Sequence, residues 1–179
     1  MTGTPSQTVG PFFGFALPYG DGPHVAAPWH PDAIRVHGQV LDGAGEPVPD
    51  ALVEIWQPDQ RGTISRGAGA LRHDGQDFSG FGRCGTDRDG AYWFSTLKPG
   101  SASGAAPYAA LLVFARGLLK PVATRIYFPE DADRHATDPV LSQVDAARRP
   151  TLVALRTGDR RYRFDVRLQG QGETVFFAL

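Results

Sequence analysis

Cysteine is almost absent from this 179-residue chain. Cys84 is the only one, which excludes an intramolecular disulfide framework and suits a reducing compartment. Long apolar runs are also missing: nothing approaches the roughly 20 consecutive apolar residues of a membrane span. The chain opens without a basic segment leading into an apolar stretch, so no secretory leader is expected and a cytoplasmic setting is. Charge of one sign is lacking too. With a formal net charge of -1, no global field draws the protein to nucleic acid or to an anionic membrane. Helical periodicity is confined to one short stretch.

Turn formers are plentiful instead. The 22 glycines and 15 prolines break the chain into many short segments, and at this length a single domain with a substantial core is expected. Residues 1–30 show little periodicity but carry Phe12, Phe13, Phe15, Tyr19 and Trp29, too much apolar surface for a free tail in water. This segment is expected to be extended and to pack on a partner subunit, leaving 31–179 as the globular domain.

Ile34 to Leu41 alternates apolar and polar residues, as a half-buried strand does. Asp50 to Gln57 is the next strand, and Gln60 to Ser79 is a long polar, glycine-rich excursion of the kind that is usually functional or interfacial. Phe81 to Gly100 reads as a hairpin about Asp89-Gly90, ended by Pro99-Gly100. Ala106 to Arg116 is apolar almost throughout, which predicts a strand buried on both faces. Thr124 to Phe128 is a further strand, and Asp131 to Asp138 reads as loop. A short helix follows, capped by Thr137 or Asp138 with Pro139 in its first turn. Thr151–Arg156 and Arg161–Leu168 form a second hairpin, the latter with Tyr162, Phe164, Val166 and Leu168 on one apolar face. Thr174 to Phe177 closes the chain as a short strand. About eight strands, one short helix and many turns predict an all-β sandwich or barrel.

Few residues announce chemistry. No Gly-x-Gly-x-x-Gly opens a helix and no Walker-type lysine follows a glycine loop, so a phosphate cradle is not expected. Cys84 suits a small core hydrophobe. The five histidines, His24, His30, His37, His73 and His135, form no His-x-His pair on a strand and no i, i+4 pair on a helix, the local arrangements that aim two imidazoles at one ion. His37 is expected to serve as a hydrogen-bonding group. Arg116, at the end of the apolar strand, admits two roles: recognition of a carboxylate or enolate near a cleft, or a structural ion pair.

Several segments together resemble one family. Thr4-Pro5-Ser6-Gln7-Thr8-Val9-Gly10-Pro11-Phe12, Leu52-Val53-Glu54-Ile55-Trp56-Gln57, Phe81-Gly82-Arg83, Asp89-Gly90-Ala91-Tyr92-Trp93-Phe94 with Lys98-Pro99-Gly100, and Tyr162 to Gly170 are similar, in order, to the intradiol ring-cleavage dioxygenases. Phe114-Ala115-Arg116-Gly117 and Gly170 to Phe177 most resemble the α chains of the αβ members that act on 3,4-dihydroxybenzoate. The resemblance implies a β-sandwich and assembly into a higher αβ oligomer. Catalytic chains of the family hold non-haem Fe3+ with two tyrosines and two histidines. Carried onto this sequence, the first tyrosine position is Ile64, the second falls within Ser101-Ala102-Ser103-Gly104, and the His-x-His positions are Tyr108 and Ala110. All four ligands are thus replaced, and Tyr108 alone cannot hold Fe3+.

The resemblance therefore implies a chain without catalytic residues or metal. Its expected role is to complete the site of an iron-bearing β subunit that cleaves 3,4-dihydroxybenzoate with O2 to β-carboxy-cis,cis-muconate. Thr8, Gly10 and Pro11 would form part of that pocket's wall, with Arg116 adding positive charge. Two rivals are a self-sufficient dioxygenase with an unusual metal site, and a stand-alone β-sandwich ligand-binding module with no enzymatic partner.

Overall fold

In the computed structural model, residues 8, 10, 12–65, 77–101 and 104–178 are described. Nine strands among them build two sheets. The first contains β1 (Ala33–Leu41), β4 (Ala91–Leu97), β7 (Leu155–Gly158) and β8 (Arg161–Arg163), in the order β4-β1-β8-β7, with the two-residue β9 (Val166–Arg167) also pairing with β1. The second contains β2 (Leu52–Trp56), β3 (Phe81–Gly85), β5 (Tyr108–Phe114) and β6 (Val122–Tyr127), in the order β3-β2-β5-β6. The expected all-β sandwich is what these residues form. No helix among the described residues is long and apolar enough to cross a membrane; the α-helices described are two single turns, α1 (Phe13–Ala16) and α2 (Ala132–His135).

The core lies between the sheets. Val36, Val40, Val53, Ile55, Phe94, Leu111, Val113 and Val166 are fully buried there. Alternation explains which side chains enter: on β2, Val53 and Ile55 face inward while Leu52, Glu54 and Trp56 take the outer face. Cys84 belongs to this core, and burial pushes its thiol pKa up, as befits a packing residue.

Several sequence expectations are corrected. β3 and β4 do not pair: β3 lies on β2 and β4 on β1. The Thr86–Gly90 turn carries the chain from one sheet to the other, because Cys84 on one strand and Tyr92 and Phe94 on the other each need burial in the intersheet core. β5 is not buried on both faces. Ala109, Leu111 and Val113 are buried, while Tyr108, Ala110, Leu112 and Phe114 are half-buried on the outer face. The segment after Pro139 makes a single 3-10 turn, Leu141–Gln143, although Asp138 does cap it by accepting from the N–H groups of Val140 and Leu141 at 2.9 Å each. Residues 151–154 lie in and after a 3-10 turn, Arg149–Leu152, with one isolated bridge from Val153 to Tyr127, and the strand itself begins only at Leu155. Thr174 to Phe177 forms one bridge, Phe177 with Ala123, rather than a strand. Asp131 to Asp138 holds α2 in place of a plain loop.

A contact between β1 and the β8–β9 junction locks the first sheet. The Phe164 carbonyl lies over Gly38, where an added Cβ would stand 1.8 Å from the oxygen. The same oxygen accepts a hydrogen bond from the Tyr92 hydroxyl at 2.5 Å, and the Phe164 N–H donates to the His37 carbonyl at 2.8 Å. Tyr92 is wholly buried, and burial holds its hydroxyl pKa well above the ordinary value.

Candidate functional site

The outer face of the β3-β2-β5-β6 sheet carries the features that bear on function. Residues 13–19 lie against one part of it. Phe13 packs on Phe114 with ring centroids 6.3 Å apart, and the Leu17 carbonyl accepts a hydrogen bond from Arg83 Nη1 at 2.9 Å. Arg83 also donates through Nε and Nη2 to Glu54 Oε1 at 2.8 and 2.6 Å. The side chains of this pair are only 13% and 9% exposed. Glu54 and Arg83 are directly opposite in the β2–β3 register, so strand pairing presets the ion pair that then holds the aromatic segment. Residues 22–27 are built into the sandwich itself, with Val25 and Ala26 donating to the Ser95 carbonyl.

Another part of the same face is covered by a second apolar cluster, in which Tyr127, Leu141, Leu152 and Val175 are buried. Between the two coverings lies a cavity of about 430 Å³ lined by Trp56, Ile64, Phe81, Ser101, Pro107 and Ala110, among others. Tyr108 lines it as well. The structure thus gathers Ile64, Tyr108 and Ala110, three positions at which the family resemblance expects metal ligands, around one hollow. The Ser101-Ala102-Ser103-Gly104 stretch enters it through Ser101; residues 102 and 103 lie outside the described residues.

The donor set does not suit ferric iron. Ile64 and Ala110 carry hydrocarbon only, and the Tyr108 ring is occupied by the Arg125 guanidinium stacked on it, 4.0 Å from the centroid. A fixed cation there repels a second one. Among the described residues no cluster of three His, Cys, Asp or Glu side chains could hold a metal ion. His37 contacts the Thr157 hydroxyl at 3.4 Å, and burial lowers its pKa.

Arg116 lies elsewhere. It follows β5 at the end remote from Tyr108, roughly 25 Å along the extended chain, and pairs with Asp50. Asp50 adjoins α1, since its carbonyl lies 3.8 Å from where a Cβ on Gly14 would stand. Arg116 is therefore brought near the N-terminal segment, and its side chain remains 63% exposed. Thr8 and Gly10 are exposed; Pro11 lies outside the described residues. Phe12 and Phe15 are 78% and 87% exposed and Leu119 is 60% exposed. Arg125 is the residue that sequence reasoning missed. Its signal was a lone cation in the apolar run Thr124-Arg125-Ile126-Tyr127-Phe128, on a strand that pairs with the Tyr108–Ala110 stretch.

With this geometry in place, relatives identify the class. A family model described as Dioxygenase matches residues 30–170, and the chain belongs to this family, that of the intradiol ring-cleavage dioxygenases. It is 43% identical to the protocatechuate 3,4-dioxygenase alpha chain of Burkholderia cepacia, over 97% of this chain and 96% of that one. It is 33% identical to the beta chain of the same species' enzyme, over 80% of this chain and 67% of that one. The fold is shared with the dioxygenase domain of a dioxygenase carbohydrate-binding protein fusion from Streptomyces sp. SirexAA-E, with a TM-score of 0.64, 23% identity, and coverage of 93% of this chain and 99% of that one.

Proposed function

We propose that this chain is the non-catalytic α subunit of a protocatechuate 3,4-dioxygenase. It completes the active site of a β subunit that carries the non-haem iron and cleaves 3,4-dihydroxybenzoate with O2 to β-carboxy-cis,cis-muconate. The observation that carries the reading is the pairing of full-length similarity to an alpha chain with a former metal site walled by Ile64, Tyr108 and Ala110. The scaffold is retained and the donor atoms are not. A companion chain must then supply the redox chemistry, and an alpha and a beta chain that are themselves homologous suit an αβ protomer that assembles further.

The contribution of this chain is to the wall of its companion's pocket. Thr8, Gly10 and Pro11 supply backbone and small side chains, and Arg116 supplies charge. The exposed Phe12, Phe15 and Leu119 support burial of this end of the molecule against another subunit, since apolar surface of this kind marks contact sites. Arg116 keeps N–H groups free of Asp50 because its planar fork carries five donors, so it can add an attractive field for a carboxylate substrate.

Arg116→Ala in the co-expressed complex should lower kcat/KM for 3,4-dihydroxybenzoate by roughly tenfold at low ionic strength, and by less as salt rises. Iron content should be unchanged. Oxygen uptake indistinguishable from the unsubstituted complex would remove Arg116 from the pocket wall. A chain that never co-purifies with a β-type companion, and remains a well-behaved monomer, would favour the ligand-binding-module alternative.

A further inference from the structure

The outer face of the other sheet carries a feature that the ring-cleavage role does not use. Directly opposed residues on paired strands point to the same side of a sheet. The parallel pairing of β1 with β8 sets Arg35 opposite Arg161 and His37 opposite Arg163. All four side chains take the outer face, since Val36 and Tyr162 between them are buried in the core. Three arginines and a histidine thus stand at the corners of a grid about 5 Å by 7 Å. Like charges set directly opposite destabilise a sheet, so the Arg35–Arg161 pair is a local cost that this fold carries.

The four side chains line one hollow of about 440 Å³, with Gln39, Asp87 and Trp93 among its other walls. Arg35 is held there by stacking on Trp93, its guanidinium 4.3 Å from the ring centroid. A second hollow of about 270 Å³ shares Arg35, Trp93 and Arg161 with the first and adds Arg160. Among the described residues, Arg35, Arg160 and Arg161 form no ion pair, in contrast with Arg156 and Arg163 of the same hairpin. The nearby carboxylates are committed elsewhere. Asp165 accepts from Arg163 Nε and from the Gln39 N–H. Asp87 Oδ1 accepts from the Asp89 and Ala91 N–H groups of its own turn, and Asp159 pairs with Arg156. Arg163 is thereby neutralised, while Arg35 and Arg161 are not. Burial, and after it the charge of Arg35 and Arg163, lowers the His37 pKa, the direction that a positive field produces.

We propose that this grid is a non-catalytic binding site for a phosphate dianion, as the free ion or as a small phosphate monoester, held between the Arg35 and Arg161 guanidiniums. The planar fork of each arginine presents paired N–H groups to phosphate oxygens, and stacking on Trp93 pre-organises the Arg35 fork. A phosphate monoester carries a charge of about -1.5 to -2 at neutral pH. That matches two uncompensated cations, where a monocarboxylate would leave one. Nucleic acid fits less well. Trp93 is already in contact with Arg35 and, at 5.1 Å, with His24, so it offers no free ring to a base. The site lies on the opposite sheet from Tyr108, Ala110 and Arg116, and is independent of the α-subunit role.

Equilibrium dialysis of the full chain, in whatever assembly it purifies, should show saturable binding of inorganic phosphate in low-salt buffer free of other multivalent anions. Glycerol 2-phosphate forms a second arm that separates a monoester from the free ion, and saturable binding of either supports the site. Arg35→Gln and Arg161→Gln should each weaken binding by about tenfold or more, the loss expected on removing charge-assisted hydrogen bonds. Arg134→Gln removes the same charge from the exposed face of α2. It should leave the affinity unchanged within about twofold, which separates a built site from the overall charge of the chain. Thermal melts in phosphate-free buffer should place both grid variants within a few degrees of the unsubstituted chain, because removing one of two opposed like charges costs the sheet little. Absence of saturable binding of both probes, equal weakening by Arg134→Gln, or undiminished binding in both grid variants would overturn the proposal.

Discussion

Glu54→Ala should cost about 3–5 kcal/mol of stability, the range for removing one member of a buried ion pair, and lower Tm by about 10 °C for a chain of this size. The cause is what remains behind. Arg83 would keep its burial and lose the carboxylate that accepts both Nε and Nη2. The one hydrogen bond its guanidinium would keep among the described residues, to the Leu17 carbonyl, would not compensate. Arg83→Ala should be as damaging and should have a second effect that Glu54→Ala shows less strongly. Without Arg83 the segment 13–19 loses its polar tether to the sheet, although the Phe13–Phe114 contact remains. If Thr8, Gly10 and Pro11 line a companion's pocket, the complex should lose activity at temperatures where its fold persists. Exchanging both partners for leucine and methionine should cost much less than either single change, because no charge is then stranded. Thermal melts of the three variants test the first claim. Single-mutant losses under about 1 kcal/mol would show that the pair is screened by solvent.

Gly38→Ala should be still more damaging, with a loss above about 4 kcal/mol that places it among the exceptional substitutions. The backbone at Gly38 is not in the left-handed region, so the requirement is purely one of space. An added Cβ would stand 1.8 Å from the Phe164 oxygen and 2.5 Å from its carbonyl carbon. Neither can retreat freely. The oxygen is held by Tyr92 and the following residue by its own bond, the Gln39 N–H donating to Asp165 Oδ1 at 3.0 Å. Gly85→Ala is the matched control: that position is also in a strand, also lacks positive φ, and has nothing within 4 Å of the added carbon. It should be neutral within about 0.5 kcal/mol, or slightly stabilising. Chemical denaturation of both variants measures the contrast. Equal, small effects would mean that the β1–β8–β9 junction yields easily.

Period-two patterns made the sandwich legible in the sequence. Tyr162, Phe164 and Val166 are buried as their alternation predicts, and β1 follows its alternating pattern in full. The hairpin expected at Asp89-Gly90 fails for a general reason. A turn dipeptide between two strand-like runs reports that the chain reverses; it does not report whether the second strand joins the same sheet. Here both flanking strands had core faces to bury, and a turn between sheets served both. The apolar run of β5 overstates its burial for a related reason. Its outer-face residues are half-covered by the N-terminal segment and the 138–153 region, tertiary contacts that no local pattern contains.

The positions at which the family places its metal ligands were legible only through resemblance. Ile64 and Ala110 carry no chemistry of their own, and their meaning comes from what the family places there. The structure adds that these positions share one hollow. Arg125 stood out in its own strand only as a lone cation, because its placement depends on register: pairing of β5 with β6 sets it opposite Ala110 and onto the Tyr108 ring.

The proposal that this chain keeps a dioxygenase scaffold and leaves the iron to a companion is tested most directly by iron quantitation. The full chain would be purified without any companion after growth with excess iron, and its visible spectrum recorded alongside. Substoichiometric iron and no tyrosinate-to-iron absorption band are expected, with both appearing when the companion β-type chain is co-expressed. One iron per chain with that band present, in the chain by itself, would contradict the account.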